Sequence, residues 1–139
     1  MKVFVAMKVP RGLPELELLA DRVADLVSQA GHQPLVATRE IARLGLTAPT
    51  AFMPYVRQQV ETCGLMIVLY HPELRGGLIE LGLAYARHQP IWLCSQRGVH
   101  VSSSASGCAD LRIEYSHLSE LEEQLSTHLN EFHPPKPTR

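Results

Sequence analysis

The stretch GLMIVLYHPELRGGLIELGLAYARHQPIWLC, residues 64 to 94, contains two apolar runs and a glycine-led segment between them. LMIVLY and PIWLC are rich in β-branched and large apolar residues with no polar alternation. Such runs are read as strands covered on both faces, which is the habit of parallel sheets. Parallel neighbours need a crossover, and RGGLIELGLAYARHQ has the length and composition of its helix. The segment is therefore a βαβ unit. One carboxylate, Glu80, stands inside this apolar helix.

Outward from this unit the pattern repeats. KVFVAM (2–7), PLVAT (34–38), LMIVLY (65–70), PIWLC (90–94) and LRIEY (111–115) are five predicted strands. Helical periodicity fills LPELELLADRVADLVSQAG, which closes on Gly31, and TAPTAFMPYVRQQVETCG, which closes on Gly64. SHLSELEEQLSTHLNEF supplies a last helix over 117–132. The alternation predicts an α/β domain, a flavodoxin-like or Rossmann-like doubly wound sheet of five parallel strands. SQRGVHVSSSASGCAD, between the fourth and fifth strands, shows no helical periodicity and is predicted to be a mobile or ligand-ordered loop. Residues 1–132 form the expected single domain, and the tail HPPKPTR (133–139) is expected to be disordered.

Composition bounds the function. A chain of 139 residues, 45% hydrophobic and 19% charged, suits one core. Thirteen Lys and Arg against fourteen Asp and Glu give no basic excess, which argues against a nucleic-acid polymer or a membrane as partner and leaves a small ligand. Cys63, Cys94 and Cys108 lie far apart, offering neither a disulfide framework nor metal-ligand spacing, and a reducing cytoplasm fits them. MKVFVAMKVPRG has too short an apolar run for a signal segment or a membrane span. The seven histidines show no zinc-site spacing, so neither metal nor cofactor is predicted.

In an open parallel sheet of order 2-1-3-4-5, ligands bind beyond the carboxyl ends of the strands, at the switch between the first and third. The flanking loops are KVPRG (8–12) and HPELRGG (71–77). Both carry Arg and Gly, suited to anion binding through backbone N–H groups and fixed charge. Glu80 is predicted in the first turn of the following helix. There the helix terminus favours its ionised form, while Leu78, Ile79, Leu81 and Leu83 oppose it. Two readings stand: a carboxylate nucleophile in a partly dry pocket, or a solvated residue on the side of Arg87, Ala84 and His88.

Residues 64–94 resemble the nucleoside 2-deoxyribosyltransferase superfamily, and in particular its 2'-deoxynucleoside 5'-phosphate N-hydrolases. The likeness rests on an apolar strand, a short loop, then Gly76, Glu80 and Gly82, and a strand opening at Pro90. It implies that Glu80 is the nucleophile that displaces a base from the anomeric carbon. It implies hydrolysis, or transfer to a second base, on a nucleoside or nucleoside 5'-monophosphate. It also implies a homodimer or dimer of dimers, in which Ser102, with Ser103 and Ser104 as near alternatives, reaches a neighbouring subunit's phosphate. The first loop would hold the 5' end through Met7, Lys8, Gly12 and Arg11. The sugar would lie over Gly76 and Gly77 beside Arg75.

Two departures from the family pattern bear on activity. An Asp usual just before the third strand is replaced by Cys63 and Gly64, so a nucleotide-binding module without catalysis is the rival reading, and an interaction domain is a third. Phe4 stands where transferases often have Tyr, which favours the hydrolase branch. Glu73 is a candidate acid from the crevice loop. Tyr70 is read either as a stacking partner for a base or as strand-end packing. His71 is read as a base or phosphate ligand, or simply as a turn residue before Pro72. Trp92 is assigned to the core.

Overall fold

The computed structural model describes residues 1–134 of the chain. Five strands form one parallel sheet: β1 (Lys2–Met7), β2 (Gln33–Val36), β3 (Leu65–Leu69), β4 (Ile91–Gln96) and β5 (Leu111–Tyr115). Their spatial order is β2-β1-β3-β4-β5, the common order of flavodoxin-like sheets on which the expected crevice rests. Six helices accompany them: α1 (Pro14–Gln29), α2 (Ala37–Arg43), α3 (Pro49–Thr62), α4 (Gly76–Ala86), α5 (Ser103–Cys108) and α6 (Leu118–Glu131).

The side-chain period of the strands divides the core into two layers. Val3, Val5, Ile67, Trp92, Cys94 and Ile113 face α1 and α6, packing on Val23, Val27, Leu121 and Leu125. Phe4, Ala6, Met66, Val68 and Leu93 face the other way, onto Val56, Val60, Leu81, Ala84 and Ala105 of α3, α4 and α5. Trp92 is core as expected, with Phe132 edge-on at 5.3 Å between ring centroids. Phe4 is also fully buried, in the layer that faces α3 and α4.

Two expectations are corrected. PLVAT ends as a strand at Val36, and Ala37 opens α2 without an intervening turn residue. Arg39 ties that helix to α1 through Glu17 and Asp21, at 2.9 and 2.7 Å. The serine-rich segment is likewise not a plain loop. Ser102 caps α5 by accepting the Ala105 N–H at 3.3 Å, and Arg112 donates to Ser106 Oγ at 2.7 Å. Serine favours caps over helix interiors, so so short a helix leaves no apolar period to read. Of the tail expected to be disordered, residues 135–139 lie outside the described residues. Among the described residues no helix is long and apolar enough to cross a membrane.

Candidate active site

Because β1 and β3 are adjacent and run the same way, Met7 and Leu69 come to rest side by side at their carboxyl ends. The chain diverges from there into residues 8–13 on one side and 70–75 on the other, which leaves a crevice above the strand ends. A cavity of about 490 Å³ fills it. Met7, Lys8, Leu69, Tyr70, His71 and Pro72 line its β1–β3 side. Leu16, Leu18 and Leu19 of α1 form an apolar wall, with Glu15 above them, and Gln96, Val99, Tyr115 and Leu118 close the far side. A mostly apolar hollow with a few polar groups is the form that small-molecule sites take. A smaller hollow of about 280 Å³, lined by Tyr85, His88 and Cys108, lies against Pro90 at the opposite end of β4.

Of the candidate binding residues, the structure brings Met7, Lys8, Tyr70 and His71 together in the cavity wall. Arg11 and Gly12 are exposed in the turn before α1, with Gly12 at φ +67°, and they do not line the cavity. Arg75 is exposed at the start of α4. Gly76 is open, since a Cβ there would meet nothing within 4 Å. Gly77 is closed, since a Cβ there would stand 2.5 Å from Leu74 Cδ1. The close approach that requires glycine at 77 is therefore internal packing. Ser102, the N-cap of α5, and Ser104 within it are exposed, and α5 packs beside α4.

Glu80 differs from its predicted position. The helix begins at Gly76, so Glu80 is its fifth residue and no acidic residue occupies the first turn. The free N–H groups of the helix start are beyond reach there, and the stabilisation of an ionised carboxylate falls away within that turn. Burial dominates. The residue is 8% exposed, and loss of water pushes its carboxyl from the ordinary 4.5 up to about 8. The solvated reading is thereby removed. Glu80 does not line the cavity as the isolated chain forms it; it sits one turn along the helix that leaves the crevice loop, on the α3–α5 side.

Position 63–64 also receives a different meaning. Cys63 and Gly64 precede β3, and a strand of five residues separates them from the crevice by about 16 Å. A carboxylate there would stand at the amino end of the sheet, so its absence removes nothing from the cavity. Gly64 instead lies under Met1, whose Sδ would be 2.7 Å from an added Cβ. Cys63 donates to the Val60 carbonyl at 3.1 Å, and burial pushes its thiol up to about 11. Cys94 is buried, and burial pushes its thiol up to about 12. Neither thiol is a thiolate near neutrality.

Tyr115, Gln96 and the α1 leucines were not found by motif. Tyr115 and Gln96 are register partners at the carboxyl ends of β5 and β4, where the same strand-end rule that located Lys8 and His71 applies. Leu18 is 48% exposed on α1 and lines the hollow.

No protein-family model matches the sequence, and no curated protein does. Solved structures do. A CMP N-glycosidase, BcmB, from Clostridium botulinum superposes with a TM-score of 0.68 at 17% identity, over 92% of this chain and 99% of that one. A 2-deoxyribosyltransferase from Bacillus psychrosaccharolyticus gives 0.70 at 14% identity over the whole of both chains. A 3-dehydroquinate dehydratase-like protein from Bifidobacterium longum gives 0.50 at 14% identity, over 95% and 99% of the two chains. Likeness at this level establishes architecture, and one architecture serves several chemistries. The chain shares its α/β fold with this CMP N-glycosidase and this 2-deoxyribosyltransferase.

Proposed function

We propose that this protein cleaves, or transfers across, the N-glycosidic bond of a nucleoside or nucleoside 5'-monophosphate, with Glu80 as nucleophile. The observation that carries the reading is a carboxylate buried in the helix that follows the crevice loop, in a fold shared with a CMP N-glycosidase and a 2-deoxyribosyltransferase. Burying a carboxyl group costs free energy, and among the described residues no hydrogen-bond partner offsets the desolvation of Glu80. A costly group in that position is explained by chemistry better than by stability.

The proposed roles follow from the crevice. Lys8 is the one Lys or Arg among the described lining residues, and it faces the 5' end of the substrate. The apolar wall of Leu16, Leu18 and Leu19 takes the flat face of a base, with Tyr70 beside it. Arg11, Gly12, Arg75, Gly76 and Gly77 line no cavity in the isolated chain. Their proposed contact with substrate requires the substrate to extend from the crevice toward α4.

The homodimer is proposed on separate grounds. Helix α4 is apolar nearly all round, and its outward face leaves Leu78 and, more than half exposed, Ile79 (56%) and Tyr85 (57%) in solvent. A helix of that kind is normally covered on both sides. A second copy seated there completes the cover over Glu80 and brings its own Ser102 and Ser104 near the shared edge. Multi-angle light scattering at micromolar concentration should return about twice the 15.5 kDa chain mass, or four times it for a dimer of dimers. A monomer would remove Ser102 and Ser104 from the site. The activity itself is tested by incubation with nucleosides and their 5'-monophosphates and chromatography for free base.

A further inference from the structure

Departure of a base leaves an electron pair on its ring nitrogen, and a hydrogen-bond donor fixed at that point lowers the barrier. The carboxyl end of β3 supplies one candidate. Tyr70 is locked to β4, its N–H bonding the Cys94 carbonyl at 2.8 Å. The chain then turns sharply through His71-Pro72-Glu73-Leu74, closed by Leu74 N–H to the His71 carbonyl at 2.9 Å, with proline at the second position, which suits such a turn.

The His71 ring takes part in the same turn. Its Nδ1 lies 3.0 Å from the Glu73 backbone nitrogen and accepts that N–H. A nitrogen that accepts cannot carry the proton, so in the neutral ring the proton is on Nε2. Glu73 in turn reaches Lys8 across the crevice, with 3.7 Å between carboxylate and ammonium, which ties the turn to the loop after β1. His71 is half-buried and lines the cavity. Its remaining ring nitrogen is a donor on an anchored turn.

Resting on the glycosidic reading above, we infer that His71, held in the Nε2–H form by the Glu73 backbone amide, donates a hydrogen bond to the departing base. The C1'–N bond breaks with its electron pair going to the base, while a Glu80 oxygen forms the new bond to C1'. His71 keeps its proton. The base takes one from water, and the hydroxide that remains resolves the glycosyl ester, returning Glu80 as carboxylate. The departing base is thus assisted by a neutral donor that lowers the charge on the leaving nitrogen without transferring a proton.

Two readouts test this. In the full-length chain labelled with ¹⁵N-histidine, ring nitrogen shifts assigned with His71→Gln should show Nε2 protonated and Nδ1 bare; a protonated Nδ1 would overturn the assignment. Base release should then be compared for the purine nucleotide that wild type cleaves fastest and for its N7-methylated counterpart, whose base is cationic before cleavage and departs neutral, so that no negative charge builds on the leaving nitrogen. His71→Ala should lower kcat about 10- to 100-fold on unmethylated nucleotides, with KM little changed, and by less than about threefold on the methylated one. His71→Gln, which can offer an N–H in a similar place, should recover much of the loss. Equal losses on both substrates, or none, would overturn the role of His71 while leaving the glycosidic reading intact. Wild-type chain that releases no base from either would overturn both.

Discussion

Replacing Glu80 by alanine should slow base release by a factor of roughly 10² to 10⁴, about 3 to 5 kcal/mol of transition-state stabilisation, while the chain stays folded. The expectation follows from the chemistry assigned to one atom pair. An oxocarbenium-like centre needs an anionic oxygen on the face opposite the leaving base, and Glu80 is the sole buried acidic side chain among the described residues. Removing it leaves positioning by the crevice and by His71, which accounts for the residual rate. The fold should survive because the carboxyl is flanked in the helix by Leu81 and Ala84, whose packing alanine at position 80 leaves in place. Circular dichroism and size-exclusion profiles superposable on wild type, with base release followed by chromatography, check both halves.

The second large effect is on stability, and it depends on pH. Folded, Glu80 holds its proton up to about pH 8; unfolded, it releases it near 4.5. Below about pH 4.5 the group is neutral in both states and imposes no penalty. Between 4.5 and 8 the unfolded chain ionises while the folded chain does not, so the unfolded state is favoured increasingly and stability falls with rising pH. Above about 8 both states are ionised and the loss is complete, up to about 5 kcal/mol. Glu80→Gln preserves shape and removes this linkage. Its Tm should match wild type near pH 4 and exceed it by up to about 15 °C at pH 8 to 9, measured by differential scanning calorimetry. A gap that does not change with pH would show that Glu80 is not held protonated by burial. The same proton governs the chemistry, since only the carboxylate attacks. Wild-type kcat/KM should therefore climb as pH rises toward 8 and level off beyond it.

The βαβ unit over 64–94 was legible because LMIVLY and PIWLC are uninterrupted apolar runs, and such runs imply a parallel sheet buried on both faces. The strand order followed, and with it the place of Lys8 and His71 at the crevice. What the sequence concealed had identifiable causes. Helix α2 starts at Ala37 with no turn residue, and α5 is made of serines whose role is capping. Arg75 and the two glycines give no side-chain cap to mark the helix start, which hides from the sequence that Glu80 lies beyond the first turn. Its large pKa displacement is a property of packing, which periodicity does not report. Cys63 and Gly64 mislead for a different reason: a residue next to a strand in sequence is near the crevice only if it is at the carboxyl end. Once β3 is seen to run from Leu65 to Leu69, the residue at that end is Tyr70.

That correction bears on the rival reading, a nucleotide-binding module without catalysis. The reading drew its force from a missing carboxylate, and the missing carboxylate belongs to the far end of the sheet. The cavity, the buried Glu80 and the anchored His71 are all present. The most direct measurement is therefore incubation of the wild-type chain at pH 8 with the common ribo- and 2'-deoxyribonucleosides and their 5'-monophosphates, followed by chromatography of the products. Release of free base from at least one nucleoside or monophosphate, abolished in Glu80→Ala, is the result expected. Saturable binding of a nucleotide with no base released over many hours would contradict it.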